Sequence, residues 1–264
     1  MRKIGFIGCG NMGASMARAF SLSSHDLKLF LYDSDTDKST ELASELKAQA
    51  VNSVESLIKQ TEMTILAVKP QILPLIYPIL SKLKENHSYI SIAAGVSINS
   101  LSKGLNSNQI IRFMPNIAAS VSKAVTAVAY SPEADELFIQ LANDLAFACG
   151  TPFPLAENLF PAFIGISGSA IAFFYQFLHA VALGGTKEGI PYAQSLAISS
   201  QTFSGAIELM VESGSSPQEI ITKITSAAGT TIEGIAALES GGMNAAVMDA
   251  VSASSQRARD LEKN

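Results

Sequence analysis

The sequence predicts an α/β amino-terminal domain followed by an all-α carboxy-terminal domain, and three observations carry that prediction. Short apolar runs alternate with helical patterns as far as about residue 122, the rhythm of parallel βαβ units. A glycine-rich turn, Gly8-Cys9-Gly10-Asn11-Met12-Gly13, joins the first run to the first helical pattern. From Asn158 onward only helical patterns remain. A chain of 264 residues divides, at about 150 residues per domain, into two compact units. The break is expected near 151–155, giving domains 1–153 and 154–264.

Strands are expected at 3–7, 27–32, 63–68, 88–93, 110–114 and 125–130. They are apolar on both faces, as a sheet covered by helices on both sides requires. Lys69-Pro70, Ala94-Gly95 and Pro115-Asn116 stop three of them. Helical spacing runs from the glycine turn to Phe20 and again over 37–46. Ser131-Pro132 has the form of an N-cap with proline at the first helical position, opening a helix to about Ala148. Further helices are expected near 169–188, 191–212, 217–225, 230–240 and 244–262. Ser216-Pro217-Gln218-Glu219 is a capping box, and Gly241-Gly242 separates the last two helices.

Composition narrows the function classes. Hydrophobic residues make up 48% and charged residues only 16%, so much of the surface is expected to be hidden in an oligomer. The net charge of −5 argues against electrostatic binding of nucleic acid. Cys9 and Cys149 are too few for a disulfide framework or a zinc site. His25, His87 and His179 have no metal-ligand spacing, so no metal is expected; His25 and His87 fall in expected loops, where solvated side chains are the default. The amino terminus lacks a signal-peptide pattern, and a reducing, cytoplasmic setting fits. Residues 159–186 carry no formal charge, His179 being neutral, a length that could span a bilayer. Pro161, Gly165, Gly168 and Gly184-Gly185 interrupt the stretch and no Lys/Arg cluster flanks it. A buried helix, with no membrane contact, is the expectation.

The glycine turn follows a strand, opens a helix, and is followed by Asp33, 20 residues after Gly13, at the end of the second strand. Together these form the dinucleotide-binding fingerprint of a Rossmann-type domain. Gly8 permits the tight turn, Gly10 lets backbone approach a pyrophosphate, and Gly13 allows close helix–strand packing. Free amides at the helix start bind the phosphates. A carboxylate at Asp33 accepts hydrogen bonds from ribose hydroxyls and repels a 2′-phosphate, which favours NADH over NADPH. Lys38 is the only cation near it in sequence.

The carboxy-terminal half carries a denser signal. Gln201-Thr202-Phe203-Ser204-Gly205-Ala206 is followed by Glu212-Ser213-Gly214 and Pro217. Then come Thr225-Ser226-Ala227-Ala228-Gly229-Thr230-Thr231-Ile232-Glu233-Gly234 and Leu238-Glu239-Ser240-Gly241-Gly242. With Gly10-Asn11-Met12-Gly13, Ala67-Val68-Lys69-Pro70-Gln71, Ala93-Ala94-Gly95 and Met114-Pro115-Asn116, the chain closely resembles the pyrroline-5-carboxylate reductase family along nearly its whole length. The resemblance implies a Rossmann domain followed by an all-α dimerisation domain. It implies NAD(P)H-dependent reduction of 1-pyrroline-5-carboxylate, a cyclic imino acid, to L-proline, in homodimers or larger homo-oligomers. It implies a cofactor site of Gly8, Cys9, Gly10, Asn11, Met12, Gly13, Asp33, Ala67, Val68, Lys69, Pro70, Ala93, Ala94, Gly95 and Asn116. It places substrate on Glu157, Ser226, Gly229, Thr230 and Thr231, with the Thr231 hydroxyl as the catalytic group that orients the ring nitrogen.

The chain departs from the family pattern in places. The usual Ser-Gly-Ser-Gly-Pro-Ala is Ser167-Gly168-Ser169-Ala170-Ile171-Ala172, and Ser-Pro-Gly-Gly is Ser226-Ala227-Ala228-Gly229. His179 and Leu183 replace two acids on the long helix. Glu157 is retained, while Pro161 and Ile164 replace an aspartate and a threonine. Ala228 would strain the loop by about 1 kcal/mol if that position has positive φ. Three other readings stay open on sequence: a reductase of a related cyclic imino acid, a 3-hydroxyacid dehydrogenase-like enzyme, and a non-catalytic dinucleotide-binding regulator. The absence of lysine from 169–186 argues against the dehydrogenase.

Overall fold

The computed structural model describes residues 1–23, 26–83 and 87–262. In chain order the first elements are β1 Arg2–Ile7, α1 Asn11–Ser21, β2 Leu27–Tyr32, α2 Thr36–Leu46, β3 Gln49–Ala50, α3 Val54–Gln60 and β4 Met63–Leu66. Next come α4 Leu73–Leu83, β5 Ser88–Ser91, α5 Ile98–Leu105, β6 Ile110–Pro115, β7 Ala124–Tyr130, α6 Glu136–Cys149 and β8 Gly150–Pro154. The remainder is helical: α7 Phe160–Ile166, α8 Ala170–Lys187, α9 Tyr192–Ser213, α10 Pro217–Ile224, α11 Thr230–Ser240 and α12 Met243–Glu262.

The strands form one sheet in the order β3-β2-β1-β4-β5-β6-β7-β8. Pairing is parallel from β3 through β6. β7 then runs antiparallel to β6, and β8 parallel to β7. The expected βαβ rhythm thus ends at β6, where the connection to β7 is a short 3₁₀ turn, Ile117–Val121, too short for a parallel crossover. One core, containing Phe6, Phe20, Leu31, Ile65 and Phe113, lies on one face of the sheet. A second, containing Ile7, Phe30, Leu57, Leu66 and Leu101, lies on the other, so both faces are covered.

Two elements arise where no strand is expected, β3 and β8. The helix at 131–148 begins later than Ser131-Pro132 suggests. Asp135 is its N-cap, accepting from the Phe138 amide at 2.8 Å. Ser131 instead donates to the Asn108 carbonyl and accepts from the Ile110 amide, tying β7 to β6. The capping box at Ser216 and Glu219 forms as expected. His87 is buried rather than solvated, its Nε2 2.9 Å from Thr64 Oγ1; His25 lies outside the described residues.

The chain packs as two compact units, Met1–Gly168 with the residues from 255 onward, and Ser169–Ser254. The break expected at 153/154 therefore falls at 168/169 in packing terms. The cause is α7: Phe160 and Phe163 bury themselves against Met114, Ala127 and Ala129 of the sheet. In the second unit, α8 and α9 pair through Phe174 and Phe177 against Phe203, at ring distances of 5.9 and 5.5 Å. In the single chain α8 is mostly exposed. Within this chain only Leu178 and Ala182 of α8 are buried, and Tyr175 is 62% exposed. The stretch Glu157–Lys187 is long and apolar enough to cross a membrane by length and composition, but a turn at Ser167, Gly168 and Ser169 divides it into α7 and α8.

Candidate active site

The carboxyl ends of β1, β2, β4, β5 and β6 bring Gly8, Asp33, Ala67, Ala93 and Asn116 to one edge of the first unit. Gly8 has φ +104°, and a Cβ there would overlap the Ala67 carbonyl. A Cβ at Gly13 would collide with the Gly8 carbonyl oxygen, so α1 can approach β1 only through glycine. Gly10 is the N-cap of α1 and has no side-chain cap. A Cβ on Gly10 would meet nothing within 4 Å, pointing into open space. The start of α1 is thus a cradle with uncapped amides, the geometry a pyrophosphate needs.

Asp33 is pinned to this turn. Its Oδ2 accepts the Cys9 amide at 2.7 Å and its Oδ1 the Asp35 amide at 2.9 Å. The Cys9 backbone donor is therefore committed to Asp33. Burial, reinforced by the Asp33 charge, pushes the Cys9 thiol up to about 12, so it stays a neutral packing group. Asn116 is buried and its Oδ1 accepts the Ala118 amide at 3.2 Å, fixing the turn after β6. Ala67 donates its amide to Ile7 at 2.8 Å, Val68 is half-buried and Lys69 exposed beside it, and Pro70 opens a 3₁₀ turn. Ala93 is buried, Ala94 exposed, and Gly95 turns with φ +77° against the Leu261 backbone.

A cavity of about 650 Å³ runs outward from Gly10, Asn11 and Met12 between α1 and α2, with Arg18, Lys38, Glu41 and Glu45 along it. Arg18 holds Glu45 through two contacts of 2.7 Å. Lys38 Nζ lies 3.1 Å from Asp35 Oδ2. The glycine fingerprint does not point to Arg18, Glu41 or Glu45. Their signal is helical spacing: Asn11, Ser15 and Arg18 share one face of α1, as Lys38, Glu41 and Glu45 share one of α2.

Glu157 also lies in the first unit. Its Oε1 accepts the Arg112 guanidinium at 2.5 Å and the Ile98 amide at 2.7 Å. Arg112 is only 2% exposed and lies 4.9 Å over the Phe160 ring. That carboxylate oxygen is therefore spent on joining β6, α5 and the start of α7. Ser226, Gly229, Thr230 and Thr231 are brought together in the second unit. Gly229 caps α11 without a side-chain hydrogen bond, donating its own amide to the Ser226 carbonyl at 3.1 Å. Ala228 has φ +53°, the strained conformation anticipated for it. Thr231 is half-buried and Thr230 exposed at a helix start with no side-chain cap, a second place where backbone amides are left free.

These features define an NAD(P)-linked oxidoreductase with a separate helical domain, and residues 3–95 match a family model described as NADP oxidoreductase, coenzyme F420-dependent. Residues 157–261 match the model for pyrroline-5-carboxylate reductase dimerisation. The chain is 35% identical to a pyrroline-5-carboxylate reductase of Aquifex aeolicus, over 98% of this chain and 97% of that one. A 1-pyrroline-5-carboxylate reductase structure from Streptococcus pyogenes superposes with TM-score 0.86 at 31% identity, covering 98% of both chains. A Plasmodium falciparum pyrroline carboxylate reductase with NADP bound gives TM-score 0.84 at 26% identity, over 99% of this chain and 98% of that one. The chain belongs to the pyrroline-5-carboxylate reductase family.

Proposed function

We propose that this chain reduces 1-pyrroline-5-carboxylate to L-proline with NAD(P)H, favouring NADH. The observation that carries the proposal is end-to-end kinship with pyrroline-5-carboxylate reductases, in a chain whose two uncapped helix starts suit a dinucleotide and a carboxylate. The open cradle at Gly10 fits the dinucleotide. When bound, a reduced nicotinamide supplies the hydride. The chain contributes placement and electrostatics. Gly8, Gly10 and Gly13 with the first amides of α1 hold the pyrophosphate, and Asp33 accepts from the ribose. Ala67, Val68, Lys69, Pro70, Ala93, Ala94, Gly95 and Asn116 line the same edge. Gly229 positions the helix start, and the amides of Thr230 and Thr231 with the Ser226 hydroxyl fix the substrate carboxylate. The Thr231 hydroxyl orients the ring nitrogen, so the protonated imine carbon accepts hydride and the product leaves as an amine. Glu157, held by Arg112 through one carboxylate oxygen, completes the proposed set of substrate-binding residues.

Within the proposal the protein is a cytoplasmic homodimer or larger assembly, without nucleic-acid or membrane partners. The exposed apolar faces of α8 and α9 support assembly. Purified protein should oxidise NADH when given pyrroline-5-carboxylate, with proline as product. Absence of turnover with either nicotinamide cofactor, in protein shown to be folded, would overturn the proposal.

A further inference from the structure

We propose that Asp35 is a specificity-determining residue: by holding Lys38 in an ion pair it leaves the groove beside Asp33 without a free cation for a 2′-phosphate. The inference rests on the dinucleotide site proposed above and names the residue that selects between its two forms.

Three contacts fix Asp35. Its amide donates to Asp33 Oδ1 at 2.9 Å, its Oδ1 accepts the Asp37 amide at 3.2 Å as the N-cap of α2, and its Oδ2 meets Lys38 Nζ at 3.1 Å. The cap and the ion pair use different oxygens, so one residue ties the ribose-side carboxylate, the helix start and the lysine together. Lys38 holds the Asp35 carboxyl below its usual range, and Asp35 raises the lysine in turn. Among the described residues the cavity has two cationic side chains, Lys38 and Arg18, and Glu45 already engages Arg18 with both oxygens. A phosphate dianion entering here would have to displace a carboxylate while lying near Asp33, Asp35 and Glu41. A ribose hydroxyl meets no such cost, because it donates to carboxylates.

The pair is solvent-exposed and contributes little to folding, so its removal leaves the fold intact. Asparagine and serine also cap helices well, so Asp35→Asn and Asp35→Ser remove the charge and keep the cap. Calorimetric titration with 2′,5′-ADP and 5′-AMP reads the 2′-phosphate directly. Steady-state kcat/KM for NADPH and NADH reads it in turnover. Both variants should bind 2′,5′-ADP several-fold tighter relative to 5′-AMP, and Lys38→Met added to Asp35→Asn should cancel the gain. An unchanged ratio in both single variants overturns the inference. So does a gain that survives Lys38→Met, which would assign it to simple loss of negative charge. If 2′,5′-ADP binding follows the expected pattern while neither cofactor supports turnover of pyrroline-5-carboxylate, the inference stands and the proposed reaction falls.

Discussion

Thr231 tests the chemistry most directly. If its hydroxyl orients the imine nitrogen, Thr231→Ala lowers kcat more than it raises KM. Losing one oriented hydrogen bond costs roughly 1–3 kcal/mol, about 5- to 150-fold in rate. Thr231→Ser keeps the hydroxyl and should retain most activity. Ser226→Ala should raise KM instead, because a carboxylate contact is made equally in ground and transition states. Turnover of Thr231→Ala equal to wild type would reduce Thr231 to a helix-start residue. A second residue-scale prediction concerns alkali. Burial pushes the Cys149 thiol up to about 12 from an ordinary value near 9. The folded chain then keeps a proton that the unfolded chain loses, so stability falls as pH rises from about 9 towards 12. The slope is at most about 1.4 kcal/mol per pH unit for this thiol. Urea midpoints between pH 8 and 11 should decline less steeply in Cys149→Ala, and an equal decline would remove the thiol from the account.

At the scale of elements, the helix at Glu136–Cys149 separates two capping signals. Asp135→Ala should cost about 1 kcal/mol through loss of the cap, whereas Pro132→Ala should leave the helix start unchanged. Urea denaturation of both variants checks this, and a larger loss at Pro132 would restore the start at Ser131. The same helix shows what sequence pattern could convey. Ser131-Pro132 has the composition of a helix start, but the Ser131 hydroxyl is taken by the Asn108 carbonyl, a partner 23 residues away that no local pattern reveals. β8 was illegible for a related reason. Pro152 and Pro154 argue against a strand, yet an edge strand tolerates proline, and β8 has one neighbour, β7. The glycine turn between β1 and α1 was legible because glycine spacing is dictated by backbone geometry, seen in the φ of +104° at Gly8. The anchoring of Glu157 was not. Its partner Arg112 is a single charge inside an apolar strand, and nothing in sequence spacing joins residues of β6 to the segment before α7. The strain at Ala228 was legible only through the resemblance, which puts a glycine where this chain has alanine, and the φ of +53° meets that condition.

For the whole molecule, the low charge fraction and the exposed apolar side chains of α8 and α9 are two views of one fact. Phe174, Tyr175, Ile198, Ile207, Leu209 and Val211 all stand exposed in the single chain. Apolar faces of that extent mark association surfaces. Light scattering without detergent should report a dimer or larger species, and a stable monomer would contradict the proposed assembly. Partition of the purified chain into vesicles would instead assign the Glu157–Lys187 stretch to a bilayer.

The second unit begins at Ser169 and ends at Ser254, and the hydroxyls of these two residues meet at 2.5 Å. Its entry and exit points therefore coincide, which makes it a cassette spliced into one continuous parent rather than a bead on a string. Such an insert can be lifted out without stretching what remains, because touching ends need only a short bridge. Joining Gly168 to Ser255 through two glycines should yield a folded α/β protein that still binds 5′-AMP by calorimetry and no longer self-associates. Failure of that shortened chain to fold would show that the parent depends on its passenger.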